Sequence, residues 1–191
     1  MITGRLPRVA DTLRIEERHV RTSQVLLLPI PPDREAEVKA RLEDLDAAEL
    51  VEQYAAFVEQ WTHSLIHAER RGERLALSLT PRGPRLLRLR LEDRAPGNPV
   101  LVVARLTIIG GIAAVPSVQE GALVLCLGVR ARARTGATLE AEVLVEDYAP
   151  LLLALPLPRE LRVRLYRATQ ARVHRAITSA FLRAIVRRTM R

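Results

Sequence analysis

From Leu75 onward, apolar residues recur at every second position, and that period commits this part of the chain to antiparallel strands. Leu75, Leu77 and Leu79 alternate with small or polar residues. Beyond the turn Pro81-Arg82-Gly83-Pro84, Leu87, Leu89 and Leu91 alternate with Arg88, Arg90 and Glu92. Residues 99–109 are apolar on both faces, as in a central strand. Residues 121–134 and 137–146 read as a hairpin. In it, Val129, Ala131 and Ala133 alternate with Arg130, Arg132 and Arg134. On its other arm, Glu140, Glu142 and Glu146 alternate with Ala141, Val143 and Val145. A three-residue turn, Thr135-Gly136-Ala137, would oppose Arg132 to Glu140 and Arg130 to Glu142, a solvated charged face over an aliphatic one.

Ahead of this meander the period is helical. Residues 11–19 suit an edge strand, and residues 25–30 suit a buried strand ended by Pro31-Pro32. Asp33 is placed to cap a helix running to about Leu45, with Val38, Leu42 and Leu45 on one face. Asp46 and Glu49 then form a capping box for a second helix. Its stripe is Leu50, Tyr54, Phe57, Val58, Trp61 and Leu65, and Gly72 supplies the stop. After an apolar link at residues 149–158, the positions Leu161, Leu165, Ala168, Val173, Ile177, Phe181, Ala184 and Ile185 approximate one face of a long C-terminal helix.

The expected class is therefore α+β: an antiparallel sheet of five to seven strands, two helices before the meander, and one long C-terminal helix packed on the sheet. This order resembles the helix-grip fold of the START and Bet v 1-like families. In that fold the sheet folds around the last helix and leaves an apolar cavity. A hot-dog fold, with the sheet around the Trp61 helix, is the rival. The resemblance implies a ligand cavity, for which Tyr54, Phe57, Trp61, Tyr148 and Tyr166 are the candidate lining residues. Tyr54, His63, Tyr148 and Tyr166 are the groups that could orient a ligand or exchange a proton there.

Charge divides the chain unevenly. Of a net +8 over 191 residues, residues 159–191 hold ten Arg against Glu160 alone, which is +9; residues 1–158 are left with −1. A near-neutral body thus ends in a basic amphipathic helix of the same domain. Its candidate contacts to an anionic partner are Arg162, Arg164, Arg167, Arg172, Arg175, Arg183, Arg187 and Arg188. An anionic membrane surface or an acidic protein partner ranks ahead of nucleic acid, because the helix offers few aromatics for base stacking. Residues 33–59 carry nine acids against Arg34, Lys39 and Arg41. Acidic and basic helical regions could therefore pair, within one chain or in a homo-oligomer.

Other classes find little support. There is no G-x-S-x-G, P-loop or dinucleotide fingerprint. Glu59, His63 and His67 are spaced by four on one expected helical face, yet no HExxH pattern follows. A solvated polar edge, with no metal or cofactor, is the expectation. His19 and His174 are isolated, and the arginines near His174 would disfavour its protonation. Cys126 alone excludes an internal disulfide and is expected to be buried. Residues 99–118 could span a bilayer by length, but Arg105, the prolines and Gly110-Gly111 favour strands. The polar N-terminus is unlike a secretory signal, giving a cytoplasmic expectation, peripheral to a membrane if the basic helix docks there. The leading expectation is a non-catalytic binding domain for an apolar or lipid-like ligand. Alternatives are an oligomeric assembly subunit and a cyclase- or thioesterase-like enzyme.

Overall fold

In the computed structural model, which describes residues 8–92, 101–115, 120–132 and 136–191, strands β1 (Ala10–Glu16) and β2 (His19–Pro29) come first. Helices α1 (Glu35–Glu43) and α2 (Ala47–Trp61) follow. The meander is β3 (His67–Arg71), β4 (Arg74–Ser78), β5 (Arg85–Leu91), β6 (Leu101–Gly110), β7 (Ala122–Arg132) and β8 (Gly136–Tyr148). The chain ends in α3 (Leu151–Ala154), α4 (Arg159–Ala168) and α5 (Gln170–Thr189). All strands belong to one antiparallel sheet in the order β1-β2-β8-β7-β6-β5-β4-β3. The protein is α+β, with eight strands among the described residues where five to seven were expected. The eighth is β3, which the helical reading had absorbed.

Alternation decides which side of the sheet is dry. On β6, Val102, Ala104 and Leu106 are buried, and on β8 so are Leu139, Ala141, Val143 and Val145. Helices α2 and α5 pack on each other and on this face, with Val38, Leu50, Phe181, Leu182 and Val186 in the same core. The terminal helix α5 lies against β2 and β8 on this face. The opposite face is polar and laced with ion pairs. Arg105, the one charge in its apolar stretch, meets Glu146 at 2.6 Å and Glu92 at 3.3 Å. Cys126 lies on that face, half-buried rather than buried, opposite Glu142 in the β7–β8 register. Burial, together with Glu142, Glu140 and Glu146, pushes its thiol up to about 11.

Several expectations need correction. The β7–β8 hairpin keeps even residues opposite even ones, but Arg132 opposes Gly136 and Arg130 opposes Thr138. The loop therefore precedes Gly136, and residues 133–135 lie outside the described residues. Arg130 still reaches Glu140 diagonally, Nε to Oε2 at 2.6 Å, while Glu142 accepts instead from the Ser23 hydroxyl at 2.7 Å. Asp33 caps nothing: a 3-10 turn over Pro32–Arg34 precedes α1, with no side-chain cap. Asp46 does cap α2, its carboxylate accepting the Glu49 N–H at 2.6 Å.

The second helix stops at Trp61, eleven residues short of Gly72. The Thr62 hydroxyl donates to the Val58 carbonyl at 2.8 Å and accepts the Ile66 N–H at 3.1 Å. His63 and Ser64 take positive φ, 51° and 62°. A non-glycine pair in this region carries no glycine or proline signal, which is why spacing alone overran it. Leu65 is accordingly 71% exposed, off the expected stripe. The helical Glu59/His63/His67 face does not exist, yet Glu59 and His67 still meet, Nδ1 to Oε1 at 2.7 Å, with His67 on β3. No group of three metal-ligating side chains occurs among the described residues.

The C-terminal segment is two helices. Thr169, with φ −117° and ψ −89°, separates α4 from α5. The single stripe splits accordingly. Ile177, Phe181 and Ile185 are buried, whereas Leu161, Leu165 and Val173 are 37–50% exposed. In place of Leu161 and Leu165, α4 buries Tyr166 in a second cluster with Val20 and Leu153. No helix among the described residues is long and apolar enough to cross a membrane.

Candidate ligand-binding cavity

Between the dry face of the sheet and the three helices α2, α4 and α5 lies a cavity of about 400 Å³. That lies within the range of small-molecule sites. Leu77, Leu89, Leu123 and Val145 project from the strands, Tyr54 and Val58 from α2, and Ile177 from α5. Exposed lining residues mark its mouth: Leu79 at 46%, Val173 at 50%, and Thr169 at the break between α4 and α5. No Asp, Glu, Lys or Arg stands on its walls among the described residues.

Two local irregularities aim polar groups into it. Between Val20 and Thr22 the β2–β8 register shifts, and Asp147 takes φ 47°. In a regular strand Asp147 would share the inward face with Val145; the extra residue turns Tyr148 inward instead. The Tyr148 hydroxyl donates to the Ala113 carbonyl at 2.6 Å. Ala113 is held near by Gly110 and Gly111, whose φ values of 137° and 127° only glycine adopts readily. On the other side, β2 turns Thr22 and Gln24 inward toward α5. Gln24 Oε1 accepts from the Ser179 hydroxyl at 2.8 Å, and Thr22 Oγ1 lies 3.4 Å from His174 Nε2.

Burial drives the titratable wall groups toward neutrality. It pushes the Tyr54 and Tyr166 phenols up to about 12, and Tyr148 higher still with help from Tyr166. It drops His174 to about 4. Desolvation is the cause; the neighbouring arginines expected to act are not. Gln170 Oε1 is buried with no hydrogen-bond partner, on a side chain that also lines the cavity.

Of the sequence-derived lining residues, Tyr54, Tyr148 and Tyr166 meet here. Phe57 does not; it faces a separate groove between α2 and α5, in edge contact with Phe181 at 5.6 Å. Trp61, at the end of α2, is 41% exposed and lines neither hollow, and His63 lies in the turn beyond it. Thr22, His174 and Gln170 were missed as cavity residues. Inward parity on β2 was the available signal for Thr22. For the other two, the break at Thr169 hid which side of the helix faces inward.

The arginines divide into three. Arg162 is drawn inward and donates to the Leu153 carbonyl, and Arg175 pairs with Asp11 on β1. Arg164, Arg167, Arg172, Arg183, Arg187 and Arg188 are exposed and form no ion pair with any described residue. The acids of α1 do not reach them. Glu37 pairs with Arg34 and Arg41 at 2.5 and 2.6 Å, and Glu35 with Lys39 at 2.6 Å. Arg34 and Arg41 in turn donate, each at 3.1 Å, to the Met190 and Thr189 carbonyls at the end of α5, where a cation meets the helix dipole favourably.

No protein-family model matches the chain, and no curated protein matches it by sequence. Solved structures do match in shape. XoxI from Bacillus cereus is 14% identical with a TM-score of 0.40, over 85% of this chain and 95% of that one. A protein from Bacillus thuringiensis is 15% identical with a TM-score of 0.39, over 85% and 98%. Ara h 8.0201 is 16% identical with a TM-score of 0.35, over 85% and 97%.

Proposed function

We propose that the chain is a non-catalytic binding domain for an apolar, lipid-like small molecule held between the sheet and α5. In this reading the free arginines of α4 and α5 bring it to an anionic membrane surface or an acidic partner subunit. The observation that carries the first half is the cavity wall, mostly aliphatic on the strand side and without a formal charge among the described residues. Burial of an apolar chain there yields roughly 25 cal/mol per Å² removed from water. Binding is favoured over a cyclase- or thioesterase-like reaction because no carboxylate or thiol stands on the described walls beside the phenols and the imidazole. For the second half, the support is that six arginines lack acidic partners within the described chain.

Native mass spectrometry of the purified protein, before and after Ile177→Trp, tests the cavity. The expected result is a co-purifying small molecule that the tryptophan displaces. A ligand retained unchanged by the filled variant would place binding elsewhere. Co-sedimentation with anionic and with neutral vesicles, set beside sedimentation of the protein alone, tests the arginines. Binding that is equal for the two vesicle types, without salt-sensitive self-association, removes the electrostatic half.

A further inference from the structure

Polarity inside the cavity is segregated, and the segregation specifies the ligand's polar end. The strand walls are aliphatic except for Thr22 and Tyr148, whose hydroxyls already meet His174 and the Ala113 carbonyl. Gln170 and His174 stand four residues apart on the first turns of α5, so they share one helical face, and both line the cavity. That face adjoins the mouth, because Thr169 and Val173 of the same turns are exposed. An apolar molecule therefore has its tail toward the sheet and its other end at this face.

What that end can be follows from the groups that wait for it. Gln170 Oε1 is buried and unpaired, a condition that costs free energy until a donor arrives. A primary amide offers an acceptor and a donor, so a hydroxyl, which is both, satisfies it whichever way the amide is turned. His174 reaches only Thr22 Oγ1, and at a long 3.4 Å. A carboxylate or phosphate brings a full charge and no donor. No Lys or Arg on the described walls would neutralise it. The partial charge at the start of α5 falls far short of a counter-ion.

We infer that the cavity selects an uncharged amphiphile whose polar end is a hydroxyl, seated against Gln170 and His174, rather than a fatty acid or other anionic lipid. This rests on the apolar-ligand reading above and narrows it to one headgroup chemistry. It also separates two surfaces: anionic groups belong to the arginines outside, and uncharged ones to the interior.

The test is displacement of the neutral dye Nile red from the full chain by three probes that share a ten-carbon chain: decanol, decyl methyl ether and decanoate. At pH 7.5 decanol is expected to bind roughly tenfold more tightly than decanoate, and about three- to tenfold more tightly than the ether, which lacks the donor. Gln170→Leu is expected to bring decanol down to the ether's affinity and leave the ether unchanged. Should the variant fold poorly, the native chain still decides. Lowering the pH from 8 to 5 protonates decanoate and should raise its affinity while that of decanol stays flat. Decanoate binding as tightly as decanol at pH 7.5, or a Gln170→Leu variant that keeps the decanol-to-ether ratio, overturns the headgroup assignment and leaves the cavity reading standing. If neither dye nor probe binds, the cavity reading itself fails, and the assignment with it.

Discussion

Thr22 on β2 and His174 on α5 face each other across the helix–sheet seam, Oγ1 to Nε2 at 3.4 Å, with the imidazole held neutral by burial. The unfolded chain takes up a proton near pH 6.5 that the folded chain refuses until about pH 4. A depressed histidine therefore leaves stability intact above about pH 6.5 and removes it as the pH falls toward 4. The linked loss is at most about 3 kcal/mol. Urea unfolding at pH 7.5 and 4.5 should show His174→Gln to be less acid-sensitive than the native chain. Equal losses in the two proteins would mean that His174 does not carry the effect.

Asp46 closes the first turn of α2 through the Glu49 N–H. Its replacement by alanine is expected to cost about 1 kcal/mol, and by asparagine much less. For a chain of this length the alanine variant should melt about 2–4 °C lower by calorimetry. An unchanged melting temperature would show that packing of Leu50 and Tyr54 alone sets the helix start.

Gly111 and Gly72 form a matched pair for backbone strain. Both have positive φ, but a Cβ at Gly72 meets nothing within 4 Å, whereas one at Gly111 falls on the Leu86 carbonyl oxygen. Gly72→Ala is expected to cost about 1 kcal/mol, the penalty of the left-handed region alone. Gly111→Ala should cost more than about 2 kcal/mol, because strand β5 must also move. Because Leu86 lines the cavity, Gly111→Ala should also weaken Nile red binding. Similar costs at the two sites would refute the close approach.

Cys126 should resist alkylation. With its thiol raised to about 11, little thiolate exists at pH 8. Iodoacetamide labelling followed by mass spectrometry is expected to be slow in the native protein and fast in urea. Rapid native labelling would contradict the half-buried placement opposite Glu142.

Where periodicity was strict, the sequence reported the fold well. Alternation on β4 and β8 foretold the dry face, the Asp46 and Glu49 spacing foretold the start of α2, and the element order foretold one sheet with a helix on it. What failed was decided by single side chains. Thr62 ends α2 with its hydroxyl and lets His63 and Ser64 take conformations that no composition signal announces. The hairpin's charge alternation fixed parity but not register, since Arg130 lies equally well diagonal to Glu140 or opposite Glu142. Aromatic residues on a helical stripe were assigned to the cavity together, yet Tyr54, Phe57 and Trp61 point into three different surroundings. Tyr148 enters only because of a bulge that alternation cannot reveal.

The interruption at Thr169 also bears on how the protein comes apart. A continuous rod would melt as one piece, since every turn would share a single buried stripe. Here α4 rests on α3 and α5, while α5 is seated in the main core against β2, β8 and α2. The two ought to behave as separate foldons, with α4 amides exchanging with deuterium through openings that leave α5 protected. Such an opening would uncover the mouth of the cavity without loosening its floor, giving a ligand a way in that spares the rest of the molecule.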